Sequence, residues 1–337
     1  MSQLSFFLGI DGGNSKTHAL AISDDGDLLG FGVSGPSDFQ QFGLPAARQA
    51  WLDSMNAALA QARLRREDIR MACFCLAGAD LPEDYQLLQD ETAAIAHPVP
   101  VVVKNDSMAA LHAGLHGSRF GVTVVLGSGF NAAGRGKDGQ EIVLPSLGYI
   151  SGDYGGGGWI AEQMIRAVMR AWDGRGPATA MREPVLQALG ARDEMDLMRS
   201  LRVDGGGEGL LKLAPIAFEA AYSGDKAAQS ILTFLGIEAG TAAATIIRRL
   251  GLQEEAVPVI LSTSIFRGKG PLLIDVITET VHRTAPKARI ITPDFVPVVG
   301  AALAALEEAG FPCHAELIDS LHAEFRRHFP GLVRVDL

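Results

Sequence analysis

The sequence is poor in cysteine, with three among 337 residues. Cys73 and Cys75 alternate within one apolar stretch, "RMACFCLAG", so they share a strand face and cannot readily bridge. A disulfide scaffold is therefore excluded, and free thiols with a cytoplasmic location are expected. Lys and Arg form no block, and the formal net charge is −10, which argues against nucleic acid or an anionic membrane as the main partner. No uninterrupted apolar run approaches the roughly 20 residues that span a bilayer. "MSQLSFF" lacks a basic segment leading into a long apolar core, so no signal peptide is expected. There is also no short-period repeat, low-complexity tract or Pro-rich linker.

What is present fits a globular α/β protein of about two domains, with 47% hydrophobic and 20% charged residues. The first third reads as strands Ser5–Gly12, Thr17–Ser23 and Leu28–Ser34, the last two joined by the turn "SDDGD". Trp51, Met55 and Leu59 at four-residue spacing mark a helix. Strand Ile69–Leu76, a helix near Glu83–Ala94, strand Val99–Val103 and a helix after Asn105-Asp106-Ser107 follow. A tight hinge is expected near Leu115–Phe120, dividing a domain of residues 1–116 from one of residues 117–337. The second part opens like the first, as strand, glycine loop, strand, Asp-Gly turn and strand. Helices dominate from Trp159 to Leu250, before strand Val257–Leu261, helix Leu272–Thr284 and strand Arg289–Ile291. The last helix carries Leu317, Ile318, Leu321 and Phe325 on one face, a packing stripe free to return to the first domain.

Two glycine loops occupy matching positions in the two halves. "DGGNSK", Asp11 to Lys16, is not a P-loop: Ser15 rather than Gly precedes Lys16, and a strand follows. It reads either as a polar hairpin or as an anion cradle, in which Gly12 and Gly13 permit close backbone approach and Lys16 adds a point charge. In a cradle, Asp11 would oppose a phosphate unless a cation intervened. "LGSGFNAAG", Leu126 to Gly134, fails the dinucleotide pattern, because the Gly after Gly129 is Gly134 and a strand follows. Between the loops, "VVVKNDSMAALHAG" ends a strand in Asn105-Asp106 and opens a helix. Asp106 or Ser107 can cap that helix, or the carboxylate can face a cleft at the strand's C-terminal end. His112 and His116 lack the Glu of a zinc-protease helix and read as exposed side chains. "GYISGDYGGGGWIAEQM" places Asp153 before four glycines, as a loop lying against a ligand would.

Six ordered blocks together carry a resemblance: "GIDGGNSKTHALA", "KNDSMAALHAG", "VVLGSGFNAAGRGKDG", "GDYGGGGWIAEQMIRAVMRAWDGRGPAT", "VILSTSIFRGKGPLL" and "VPVVGAALAAL". The chain resembles the N-acetylglucosamine kinase and benzoyl-CoA-reductase-type ATPase family, of the sugar kinase, Hsp70 and actin superfamily. The resemblance implies two ribonuclease-H-like domains with ATP and Mg²⁺ in the cleft between them. It implies a first phosphate loop of Gly12, Gly13, Asn14, Ser15 and Lys16, with Asp11 on the metal. Gly127, Ser128, Gly129 and Asn131 form the second loop, and Ser262, Thr263 and Ser264 approach the adenosine. Asp106 becomes the catalytic base, with Asp38, Gly78, Asn105 and Asp153 around the sugar. Three departures stand out: Ser-Thr-Ser where the family has a small Gly pair, Tyr154 where it has an acid, and Asp38 where it has an Asn. The activity implied is ATP-dependent phosphorylation of a hexosamine such as N-acetylglucosamine or glucosamine at its 6-hydroxyl, by a homodimer. The alternatives are an ATPase activator of a reductase, which the cysteine spacing does not suit, and a non-catalytic sugar or nucleotide sensor.

Overall fold

The computed structural model describes residues 4–127, 129–146, 148–204, 210, 212–293 and 295–333. It contains two five-stranded sheets of the same topology. The first is built from β1 (Phe6–Gly12), β2 (Thr17–Ser23), β3 (Leu28–Ser34), β4 (Ile69–Leu76) and β5 (Val101–Asn105), in the order β3-β2-β1-β4-β5. The second is built from β6 (Gly121–Leu126), β7 (Phe130–Arg135), β8 (Glu141–Val143), β9 (Pro258–Ser262) and β10 (Arg289–Ile291), in the order β10-β9-β6-β7-β8. Each begins as an antiparallel meander of three strands and continues with two parallel strands. The echo visible in the sequence is thus a repeated strand order.

Helices of the first unit are α1 (Phe39–Phe42), α2 (Leu44–Ala62), α3 (Pro82–Ala96) and α4 (Asp106–Gly114). Helices α5 (Gly156–Trp172), α6 (Arg182–Ala188), α7 (Glu194–Asp204), α8 (Ala214–Tyr222), α9 (Lys226–Arg249) and α10 (Leu272–His282) belong to the second sheet. The chain ends in α11 (Pro297–Glu308), α12 (Ala315–His328) and α13 (Pro330–Val333). Trp51, Met55 and Leu59 on α2 pack with Ile10, Phe74 and Leu76 on one face of the first sheet. On its other face, Phe7, Leu20 and Cys75 meet Val298, Leu303, Ile318, Leu321 and Phe325, so α11 and α12 return to the sheet the chain began with. By length and mean hydropathy α9 could cross a bilayer, although the sequence suggested no such segment; Ile231, Leu235, Ile246 and Ile247 bury it in the second core instead.

Helix α4 lies where the two units meet. Met108, Leu111 and Leu115 pack with Ala133 and Ile260 of the second sheet. Two glycines make this possible. A Cβ on Gly300 would lie 1.9 Å from the Ala109 carbonyl oxygen, and one on Gly114 would lie 2.6 Å from an Ile260 side-chain carbon. Any larger residue at Gly300 would drive α11 away from α4. The same packing corrects the expectation for His112, which is 4% exposed because α11 covers it. Its Nδ1 stands 3.2 Å from Glu307. His116 follows the helix end, with φ 43°, and is exposed.

Candidate functional site

The first glycine loop is a turn between β1 and β2, closed by a hydrogen bond from the Gly13 amide to the Lys16 carbonyl, 3.2 Å. It is braced from one side: the Ser37 amide donates to the Gly13 carbonyl at 3.0 Å, and the Thr17 hydroxyl bonds Ser37 Oγ at 2.8 Å. A Cβ on Gly12 would sit 2.5 Å from Ser37 Oγ and 2.8 Å from Leu76, so glycine is needed for this bracing. Asn14, Ser15 and Lys16 are left exposed at the tip.

The second loop joins β6 to β7; Ser128 lies outside the described residues. The Gly157 amide donates to the Gly127 carbonyl at 2.8 Å, which docks the start of α5 on this loop. Helix α5 has no side-chain cap, and a Cβ on Gly155 would come within 2.8 Å of Leu126 and 2.9 Å of Phe130. The four-glycine run therefore lets an uncapped helix N-terminus sit against a glycine loop, an arrangement suited to an anion.

Between the loops lies a cavity of about 200 Å³. It is lined by Asn14 of the first loop, Gly127, Gly129 and Asn131 of the second, and Asp38, Gly78 and Asp106. Asp106 opens α4 immediately after the helix's N-cap, Asn105, whose Oδ1 accepts from the Ser107 amide at 3.0 Å. Asn105 spends both amide protons inside the protein, on the Ala79 carbonyl and on Asp80, each at 3.1 Å. It orders the site from behind rather than lining the cavity. Asn131, on β7 of the other sheet, donates to Asn105 at 3.0 Å and to Asp106 at 3.4 Å.

Burial, and after it the crowding of carboxylates, dominates the electrostatics. Burial and the neighbouring Asp80 and Asp38 push Asp106 up to about 6, against hydrogen bonds from Ser107 and Asn131. Burial and Asp106 push Asp11 up to about 7, against the pull of Lys16. Asp80, also lining the cavity, is pushed up to about 6 by burial and by Asp84 and Asp38. The sequence reading passed over Asp80, Gln40 and Ser146, which line the same space. For Asp80 a signal existed: it lies just beyond the C-terminal end of β4, where open α/β sheets place ligand-binding groups.

Other expected residues lie around the cavity rather than on it. Asp153 accepts from the Gly148 amide at 3.1 Å and from Ser151, and it is near enough to raise Asp80. Ser262 ends β9 and is buried. Thr263 has φ 107°, a backbone conformation that favours glycine, and its hydroxyl bonds the Leu126 carbonyl at the end of β6. Ser264 begins the short helical turn Ser264–Arg267. Tyr154 joins an aromatic group with Tyr149 and Phe234, at ring centroid separations of 5.4 and 5.5 Å. Cys73 and Cys75 are buried with their sulfurs 3.8 Å apart, and Cys313 is a free thiol elsewhere.

The donor set fits a hard cation held largely by a ligand. Among the described residues no group of three or more His, Cys, Asp or Glu side chains is arranged to hold a metal. Asp11 stands at the first loop with a carboxyl that burial, and then Asp106, makes reluctant to ionise alone; the charge of Mg²⁺ held there would relieve it.

Residues 8–305 match the BadF/BadG/BcrA/BcrD ATPase family. The N-acetyl-D-glucosamine kinase of Dictyostelium discoideum is 28% identical over 312 residues, covering 89% of this chain and 97% of that protein. The N-acetylmuramic acid/N-acetylglucosamine kinase of Clostridium acetobutylicum is 25% identical over 306 residues, covering 90% and 99%. Among solved structures, a Chromobacterium violaceum protein regarded as an N-acetylglucosamine kinase has a TM-score of 0.65 at 25% identity, covering 90% of this chain and 99% of that one. A ROK-family glucokinase from Streptomyces griseus, solved with glucose and AMPPNP, shares the fold with a TM-score of 0.58 at 17% identity, covering 90% and 100%.

Proposed function

Because the chain belongs to the BadF/BadG/BcrA/BcrD ATPase family, we propose that it is an ATP-dependent sugar kinase acting on a hexosamine, such as N-acetylglucosamine or glucosamine, at the 6-hydroxyl. The observation that carries the reading is a carboxylate, Asp106, lining a small cavity between two glycine hairpins. Phosphoryl transfer needs alignment and charge neutralisation more than covalent help, and this site offers both. Lys16, the amides of the two loops and the N-terminus of α5 would hold the phosphates of ATP. Asp11 would hold Mg²⁺, which when bound neutralises charge on the transferred group. Asp106 would accept the hydroxyl proton; with its carboxyl near 6 it is mostly ionised at neutral pH yet still basic enough to act. Asp38, Asp80, Gly78 and Asp153 would orient the remaining sugar groups, with Asn105 fixing Asp80 and the start of α4 from behind. Ser262, Thr263 and Ser264 would border the adenosine.

The connection between α4 and β6, residues 115–120, would be one crossing between units of residues 1–116 and 117–337, with α11 and α12 returning to the first sheet, and closure of the two units would exclude water from the transfer. We further read the protein as a cytoplasmic homodimer. The test is a panel of free amino sugars, N-acetylated sugars and plain hexoses, scored by coupled ADP release. Sugar-dependent ADP release greatest with a hexosamine is expected; release indifferent to every sugar would overturn the proposal.

A further inference from the structure

Lys104 and Asn105 are neighbours at the end of β5, so their side chains leave opposite faces of the strand. Asn105 turns towards the site, where it meets Asp80 and Asn131. Lys104 goes the other way and is buried. Its ammonium lies 2.9 Å from both carboxylate oxygens of Glu141 and 2.9 Å from Glu308. Glu141 belongs to β8 of the second sheet, and Glu308 ends α11, which packs on the first. His112 of α4 stands beside them, 3.2 Å from Glu307 and 3.8 Å from Glu141, and Arg135 reaches Glu307 at 2.6 Å. Arg135 and Glu141 are directly opposed in the β7–β8 ladder. The β7–β8 hairpin is thus tied to the first unit twice: by Asn131 where β7 begins, and by Arg135 and Glu141 at its other end.

We propose that Glu141 is a positioning residue. It holds Lys104 and His112 of the first unit against the second sheet and so fixes how the two glycine loops face each other, with the charge on His112 setting how firmly it holds. Lys104 precedes Asn105 and Asp106 in the chain, so a pull on its ammonium is felt at the start of α4. The contact between the units stands apart from the sugar-kinase reading; its effect on turnover rests on that reading.

The role of His112 follows from its geometry. Its Nδ1 faces Glu307 and its Nε2 faces Glu141. A neutral imidazole donates from one nitrogen and presents a lone pair at the other. Donation to Glu307, the nearer acid, leaves that lone pair pointing at the Glu141 carboxylate, and Nε2 is buried with no hydrogen-bond partner. A protonated ring turns a donor towards each acid. The charges agree. With the ring neutral, Glu141, Glu307 and Glu308 face two permanent cations, Lys104 and Arg135; a proton on His112 makes three of each sign. Farther round the ring, His116, Arg119, Lys137, Asp138, Cys313, His314 and Glu316 share the cavity that it borders. Burial, helped by Lys104, works against the charged form, but Glu141 and Glu307 outweigh it and hold the ring above its ordinary 6.5. As pH rises through that value the proton leaves, and attraction between His112 and Glu141 becomes repulsion. Lys104 stays charged throughout, because Glu141 and Glu308 outweigh its burial.

The test is a distance across this seam. Nitroxide labels are attached at Gln140→Cys, on the exposed turn between β7 and β8, and at Glu316→Cys, on the exposed first turn of α12. The background is Cys313→Ser; Cys73 and Cys75 are buried. Pulsed electron resonance on the full, ligand-free chain then gives the separation at pH 6 and pH 9. The wild-type distribution should be narrow at pH 6 and longer or broader at pH 9. His112→Gln should show the pH 9 distribution at both values, and Glu141→Gln should be at least as broad at both. Asp11, Asp80 and Asp106 also ionise in this range, so the His112 variant separates their effect from that of the ring. In the kinase assay, Glu141→Gln should lower kcat several-fold at pH 7 with little change in the KM for sugar; absence of sugar turnover in the wild type would sink the kinase reading and leave the distances to decide this one. Three results overturn the proposal: a wild-type distribution that is the same at pH 6 and pH 9, a pH response that His112→Gln retains, or wild-type distances at both pH values in Glu141→Gln.

Discussion

If Asp106 takes the proton of the acceptor hydroxyl, its ionisation sets the acid side of the pH profile. The carboxyl titrates at about 6. About nine-tenths of it is then ionised at pH 7 and about one-tenth at pH 5. A base works in its ionised form, so kcat/KM should rise with pH through 6, and should be about tenfold lower at pH 5 than at pH 7. The assay is coupled ADP release at limiting sugar, saturating ATP and excess Mg²⁺, in overlapping buffers. Asp106→Asn should lower the rate by about 10²–10⁴, and the residual activity should lose the acid limb. Asp80→Asn removes one of the charges that push Asp106 up, and should move the limb of whatever activity remains to lower pH. A wild-type profile flat from pH 5 to 7, or an Asp106→Asn enzyme that keeps the limb, would refute the assignment.

Asp11 has a folded-state value of about 7, above its ordinary 3.8. Its contribution to stability is therefore fully present below 3.8 and lost as pH rises through 7. Asp11→Asn should raise stability to urea at pH 7 in metal-free buffer by about 2–4 kcal/mol while abolishing turnover; a variant no more stable than the parent would contradict this. Glu141 has the opposite sign. Burial opposes its ionisation, but His112 and Lys104 hold it at about 2, below 4.5, so its stabilisation is present above 4.5 and lost as pH falls through 2. Glu141→Gln should cost about 3 kcal/mol at pH 7 and about 1.5 at pH 3, and equal losses at both would tell against the ion pair. At Thr263, Ala should lose the bond to Leu126, about 1 kcal/mol, without relieving φ 107°. Gly should relieve a strain of about 1–3 kcal/mol, so Thr263→Gly should melt at or above Thr263→Ala; the reverse order would show no strain there.

The strands of both sheets were legible because their apolar runs are bounded by strong turns, and the expected strands Thr17–Ser23, Leu28–Ser34 and Ile69–Leu76 are the observed ones. Strand β5 was expected two residues early, since its apolar run begins before Pro100 while its ladder pairs from Val101. His112 was misread because one helix shows only its own periodicity; the covering surface comes from α11, almost two hundred residues on. Asp80 was missed for a related reason. Its place beyond the end of β4 is a signal, but "LAGADLPED" alone does not single it out among loop carboxylates as the contact from Asn105 does. The glycines of both hairpins were visible, whereas the glycine-like backbone at Thr263 was not, because its residue type argues the other way.

One network makes the base depend on both sheets at once. Asn105 and Asp106 belong to the first, Asn131 to the second, and the hydrogen bonds from Asn131 are among the influences that keep Asp106 from rising further. Separating the sheets would break those bonds, and it would also hydrate Asp106 and relieve burial, the larger influence on its carboxyl. Bringing the sheets together restores the hydrogen bonds and, in the same movement, brings the second glycine loop towards the first. Assembly of the phosphate clamp and placement of the base are thus coupled through one amide side chain. This is a physical reason for the site to be divided between two sheets, with Asp106 placed on the helix that packs between them.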